Sequence, residues 1–121
     1  MRDPNCIFCK LVAGEIPSYK VYEDDDFLAF IDIHPLSTGH CQVIPKEHCR
    51  WVWDVQNAGA YFEVVKKIAL AQKKAFETEQ ILVKIDGSDV FHAHIWVWPH
   101  EKIGDPKDFE GNAERIKKYL T

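Results

Sequence analysis

Two groups of residues in this chain of 121 have types and spacings that can do chemistry: His92-Ala93-His94, inside the run Val90 to Pro99, and Cys6-Ile7-Phe8-Cys9. On a strand, residues two apart share a face. The run therefore puts His92, His94, Trp96 and Trp98 on one side. Apolar Phe91, Ala93, Ile95 and Val97 fall on the other, which reads as the core side. Pro99 removes a ladder donor and ends the strand. The two histidines stand about 6–7 Å apart at the backbone. Two imidazolium rings that close repel, so at least one is expected to be neutral near pH 7. It is then available as nucleophile, general base or metal ligand. The competing reading of an isolated His-x-His is a surface pair in an ordinary edge strand.

The Cys6-x-x-Cys9 spacing lets a single turn bring both sulfurs to one ion, and structural zinc takes four thiolate and imidazole ligands in a tetrahedron. A redox pair would need a strand-to-helix junction in a βαβ unit, and no strand precedes Cys6. His48 and His92 are the candidates for the other two ligands. His40 and Cys49 stay open as competitors on pattern alone. Two inert cysteines on an N-terminal helix are the plainer alternative, and Cys41 and Cys49 read as small core or surface residues.

The elements that must position these groups can be taken in chain order. Cys6 to Gly14 is predicted as a short helix, with Ile7, Phe8, Leu11 and Val12 at helical spacing and Gly14 as its stop. Tyr19–Glu23 and Phe27–Ile33 are strands joined by a solvated Asp24-Asp25-Asp26 tip. His34 to Gly39 is a loop, and His40 to Pro45 a strand. Trp51 and Trp53 alternate on a short segment without an evident role. Asp54 is the expected N-cap of the longest helix, roughly Val55 to Glu77. Its inward stripe is Tyr61, Phe62, Val65, Ile68, Ala69, Gln72 and Phe76. Ile81–Ile85 is a strand, Asp86-Gly87-Ser88-Asp89 the connection into the histidine strand, and Asp108 or Gly111 to Leu120 a closing amphipathic helix. The expected fold is α+β: a mainly antiparallel sheet of about five strands, one long helix, and short N- and C-terminal helices.

One domain over 1–121 is the natural count for this length. Apolar residues are 46% and charged residues 28%, and the formal charge of -4 argues against a nucleic-acid partner, which would need a basic surface. Met1 to Asn5 is polar and unlike a signal peptide, and no apolar run is long enough for a bilayer. The expectation is a cytoplasmic protein with no membrane partner.

Several segments together are similar to the histidine-triad (HIT) family of nucleotide hydrolases and transferases. They are Cys6-Ile7-Phe8-Cys9-Lys10 with Gly14-Glu15-Ile16-Pro17; Leu28-Ala29-Phe30-Ile31-Asp32-Ile33 with Pro35; Gly39-His40 with Val43-Ile44-Pro45-Lys46-Glu47-His48; and His92-x-His94. The resemblance runs from Cys6 to about Pro99 and implies a HIT-like fold. It also implies that His94 is the nucleophile, forming a covalent nucleotidyl intermediate at the α-phosphate of a nucleoside 5′-phosphate derivative. By the same resemblance Asp32 holds the ribose hydroxyls, and Phe8, Phe30 and Ile33 sandwich the base. The zinc-binding branch implies a structural Zn2+ on Cys6, Cys9, His48 and His92. Family members commonly pair through the long helix and a sheet edge, which implies a homodimer. Trp96 stands where the family has its third histidine; it keeps a donor but no titratable nitrogen. The family's Gly-Gln-Ser segment is replaced by Gly87-Ser88-Asp89, where Ser88 can donate to phosphate and Asp89 would repel it. Three functional classes follow: a nucleotidyl hydrolase or transferase, a nucleotide-binding module with little or no catalysis, and a purely structural zinc protein.

Overall fold

The computed structural model describes residues 3–101 and 103–120. Among them, five antiparallel strands form one sheet in the order β1-β2-β3-β5-β4: β1 Lys20–Glu23, β2 Phe27–Ile31, β3 Cys41–Pro45, β4 Ile81–Lys84 and β5 Ile95–Pro99. The helices are α1 Ile7–Ala13, α2 Ala58–Ala75 and α3 Phe109–Lys118. The expected α+β architecture is the one observed.

Alternation divides the sheet into two unlike faces. Phe27, Ala29, Ile31, Cys41, Val43, Ile95 and Val97 point to the side covered by α2 and α3. There they pack with Tyr61, Val65, Ile68, Ala113 and Ile116. Polar donors on this side bond to backbone, although Gln72 Oε1 has no hydrogen-bond partner. Gln72 Nε2 donates to the carbonyls of Gly39 and Val97, both at 2.9 Å, and Tyr61 donates to Val43 O at 2.7 Å. Gly39 lies at φ 80°, and a Cβ there would drive into the Phe76 ring. On the other face a smaller cluster of Phe8, Leu11, Leu28, Phe30 and Ile44 forms under α1. Helix α1 starts on Cys6, whose sulfur accepts the Cys9 N–H at 3.4 Å, and stops at Gly14, φ 78°. At the β1–β2 tip, Asp24 is not merely solvated: it accepts the Asp26 and Phe27 N–H groups and the Tyr22 hydroxyl.

Four expectations need correction. The histidine strand begins only at Ile95, and residues 91–94 are irregular. The cause is a bond from far along the chain: Ala93 N–H donates to Cys49 O at 2.6 Å, drawing this stretch out of the ladder. Alternation survives at Ala93, Ile95 and Val97, but Phe91 is 66% exposed and stacks on the Arg50 guanidinium at 4.1 Å instead of entering the core. The cap of α2 is Asn57, accepting from Ala60 N–H, because residues 52–54 close a 3-10 turn of their own around Asp54. Phe62, expected inside, is exposed, as is Ile7 on α1.

Candidate active site and metal centre

Sequence-distant segments converge on α1. The ligand atoms of Cys6, Cys9, His48 and His92 all lie within 4.8 Å of one another. Cys6 Sγ is 3.4 Å from His92 Nδ1, Cys9 Sγ is 3.3 Å from His48 Nδ1, and Cys9 Sγ is 3.5 Å from His92 Nδ1. Tetrahedral zinc with ordinary Zn–S and Zn–N bonds requires sulfur–nitrogen edges of about 3.5 Å. The cluster therefore fits a four-coordinate ion. The His92 tautomer fits too: a carbonyl can only accept, so Nε2–H donates to Pro45 O at 2.7 Å and leaves the Nδ1 lone pair facing the sulfurs. Burial pushes the His92 imidazole down to about 4 and the Cys9 thiol up, so a bound cation would have to displace the thiol proton. The ring is thus held neutral, as a ligand must be. Of the competitors, neither His40 nor Cys49 joins this group: His40 lies beside Asp32, and the Cys49 thiol turns to Trp51 O.

His94 follows directly. Its ring is buried and lies edge-on to Phe8, centroids 5.3 Å apart. Nδ1–H donates to His92 O at 2.7 Å, which leaves Nε2 as the nitrogen available for chemistry. The residue bearing the first histidine ligand thus also orients the second histidine. Nε2 faces Asp89 Oδ1 at 3.0 Å; a carboxylate only accepts, so this contact needs a proton on Nε2, and the lone pair is exposed only when that proton and the carboxylate move off. That contact was not foreseen; proximity of Asp89 in sequence hinted at a phosphate-side position, but not at the nitrogen itself.

Asp32 is buried, and its oxygens accept from His34 N–H at 2.8 Å and Gln42 Nε2 at 3.0 Å. His40 Nε2 lies 3.6 Å from Asp32 Oδ2, and Nδ1 of the same ring accepts Leu36 N–H, so Nε2 bears the hydrogen. Burial holds His40 down at about 4, against the pull of Asp32. Gln42 was not singled out from sequence. The signal was present: a polar residue on the Leu28/Phe30/Ile44 face of an otherwise apolar strand. Among the described residues, His40 Nε2, Gln42 Oε1 and Trp96 Nε1 are buried without a hydrogen-bond partner, and Gln42 and Trp96 are register partners across β3 and β5.

Phe8 and Phe30 are buried and stack edge-on at 5.8 Å. Ile33 is not drawn in with them; it is 58% exposed. Ser88 is exposed, its N–H bonded to Asp86. The structure therefore brings together His94, Phe8 and the four metal-type residues, and leaves Ser88 and Ile33 at the surface.

An α+β sheet with one oriented histidine beside a thiol–imidazole cluster defines the class, and comparison with known proteins gives its family. The chain belongs to the HIT family: the HIT domain matches residues 13–103. Proteins of this family are known as nucleotide-binding hydrolases. The chain is 44% identical to "Protein hit" of Bacillus subtilis, over 97% of this chain and 95% of that protein. It superimposes with a TM-score of 0.87 on the crystal structure of a Hit-like protein from Bartonella henselae, at 39% identity, covering 99% of this chain and 100% of the other. A zinc-bound histidine triad protein from Mycobacterium smegmatis aligns with a TM-score of 0.84 at 31% identity, over 96% and 93% of the two chains. No helix among the described residues is long and apolar enough to cross a membrane.

Proposed function

We propose that this protein is a zinc-stabilised nucleotidyl hydrolase or transferase, acting at the α-phosphate of a nucleoside 5′-phosphate derivative such as a phosphoramidate or dinucleoside polyphosphate. The observation that carries the reading is the orientation of His94. Nδ1–H is tied to His92 O, so Nε2 is the nitrogen that can attack once it has given up the proton its contact with Asp89 requires. As the Nε2–P bond forms, the P–O or P–N bond to the leaving group breaks. Water then attacks the same phosphorus, the N–P bond breaks, and nucleoside 5′-monophosphate leaves. Cys6, Cys9, His48 and His92 would hold zinc, whose contribution there is structural: it locks the backbone on which His94 is mounted. Asp32 is suited to accept from ribose hydroxyls, because Gln42 and His34 N–H already fix its carboxylate. Phe8 and Phe30 form the floor for the base, with Ile33 and Ser88 at the exposed rim. Trp96, in the place of the family's third histidine, offers an indole N–H without a local partner.

The same reading takes residues 1–121 as one cytoplasmic domain with no nucleic-acid or membrane partner. It also takes the protein as a homodimer, supported by the open edge of β4 with Val83 exposed and by exposed Phe62 and Leu70 on α2. Hydrolysis of an adenosine phosphoramidate by the metal-loaded protein tests the enzymatic claim. Wild type is expected to exceed His94→Ala by about a thousandfold or more. Equal rates would refute it.

One observation favours a second reading, a nucleotide-binding module with little or no catalysis: Asp89 stands on Nε2 itself. Tight nucleotide binding by calorimetry with turnover no faster than buffer would select that reading.

A further inference from the structure

The Asp89–His94 contact has more to say than whether the protein turns over. A carboxylate oxygen lies 3.0 Å from the nitrogen that must meet phosphorus, so on the nucleotide reading above it occupies the ground of the incoming phosphate. Its loop is pinned from both sides. The guanidinium of Arg50 lies 3.7 Å from the Trp51 ring and 4.1 Å from Phe91, and a Cβ on Gly87 would stand 3.1 Å from the Trp51 ring. Ser88 N–H closes the turn on Asp86. Among the described residues Asp89 has no Lys or Arg ion-pair partner; its one recorded ion-pair contact is His94. Its side chain is 54% exposed, so it can rotate away from Nε2. With both ends of the loop anchored, it cannot go far.

We propose that Asp89 is a charge filter on the α-phosphate, a specificity-determining residue that favours the intact conjugate over the monophosphate it yields. The proposal rests on the nucleotide reading. A displaced but tethered carboxylate still lies within a few ångström of the phosphoryl oxygens, and like-charge repulsion there scales with phosphate charge. An α-phosphate joined to a leaving group carries about one negative charge; the free monophosphate at about pH 8 carries nearly two. Repulsion is therefore strongest against the product, and Asp89 promotes its release while tolerating the substrate.

Calorimetry on the metal-loaded protein near pH 8, with three probes, tests this. The probes are a nucleoside without phosphate, its 5′-monophosphate, and the methyl ester of that monophosphate, run as adenosine and guanosine series. Asp89→Asn is expected to tighten monophosphate binding about tenfold, methyl ester binding about threefold, and nucleoside binding not at all, the first two gains shrinking with salt. Asp86→Asn, which removes a charge elsewhere in the loop, should change none of them, and Asp89→Ser should repeat the Asp89→Asn pattern. Equal changes for all three probes, no change, or weaker monophosphate binding would overturn the filter while leaving the nucleotide reading intact. Absence of binding to wild type and variants alike would overturn both.

Discussion

The two faces of the sheet are built from alternate residues of the same strands, yet they differ in kind. Ala29, Val43, Ile95 and Val97, all fully buried, meet a continuous hydrocarbon layer supplied by α2 and α3. Phe30, Gln42, Ile44 and Trp96 face α1, which is only Ile7–Ala13 and covers only part of its face. Where α1 reaches, the cover includes two thiols aimed at two imidazoles; where it does not, His40, Gln42 and Trp96 keep buried polar atoms without hydrogen-bond partners, against Gln72 Oε1 on the opposite face. Unpaired buried polar groups cost stability, so a face carrying several of them is organised for something other than folding. One side of the sheet holds the protein together, and the other carries the thiols, imidazoles and unpaired polar atoms.

That division predicts effects of different kinds for changes on the two faces. The largest belongs to the metal cluster. Cys9→Ser should abolish stoichiometric zinc, and chelation of wild type should lower folding stability by about 4 kcal/mol where free zinc exceeds its Kd a thousandfold. Elemental analysis and thermal melts with and without chelator read this, and an unchanged melt would place the ion, or its absence, outside the stability of this face. Next is the opposite face: Ile68→Ala removes a fully buried side chain under the sheet and should cost about 3 kcal/mol in urea unfolding. Zinc content and nucleotide affinity of the folded protein should not move. Loss of either would mean the faces are coupled.

Slightly smaller is an acid effect from His40. Burial depresses its folded-state pKa to about 4 from an ordinary 6.5, so the folded protein prefers the neutral ring. The unfolded chain binds the extra proton first. Stability on this account is full above about pH 6.5 and is lost as pH falls toward 4, by roughly 2 to 3 kcal/mol. In His40→Gln the loss read from unfolding curves across the window should shrink by about that amount and leave the part due to His92, which burial also holds down at about 4; an identical acid slope in the variant would assign it elsewhere. The smallest effect is Asp32→Asn, which should weaken nucleotide binding about tenfold, or 1.4 kcal/mol, with little change in the melt. A large stability loss with unaltered affinity would make Asp32 part of the scaffold rather than the pocket.

Much of this was legible in the residues. Period-two alternation located Ala93, Ile95 and Val97 as the core positions leading into and along β5, and Gly14 and Asp108 marked helix ends that the structure keeps. The metal set was legible because coordination chemistry narrows the choice of side chains, even though pattern alone left His40 and Cys49 in play. The misses have separate causes. Phe91 leaves the core and the strand begins late because Cys49 O captures the Ala93 N–H, a long-range backbone bond with no local signature. Asn57 caps α2 in place of Asp54 because both are good caps, and only the intervening 3-10 turn decides between them. The exposure of Ile33, just past the end of β2, had no signature in the sequence either.

The central claim is that His94 Nε2 makes a bond to phosphorus. Intact-mass spectrometry after rapid acid-free quenching of the metal-loaded protein with an adenosine phosphoramidate tests it most directly. The account predicts an added nucleotidyl mass on wild type, mapped to His94 and absent from His94→Ala. An adduct that survives the His94→Ala change, or turnover by wild type with no adduct at any time, would contradict it.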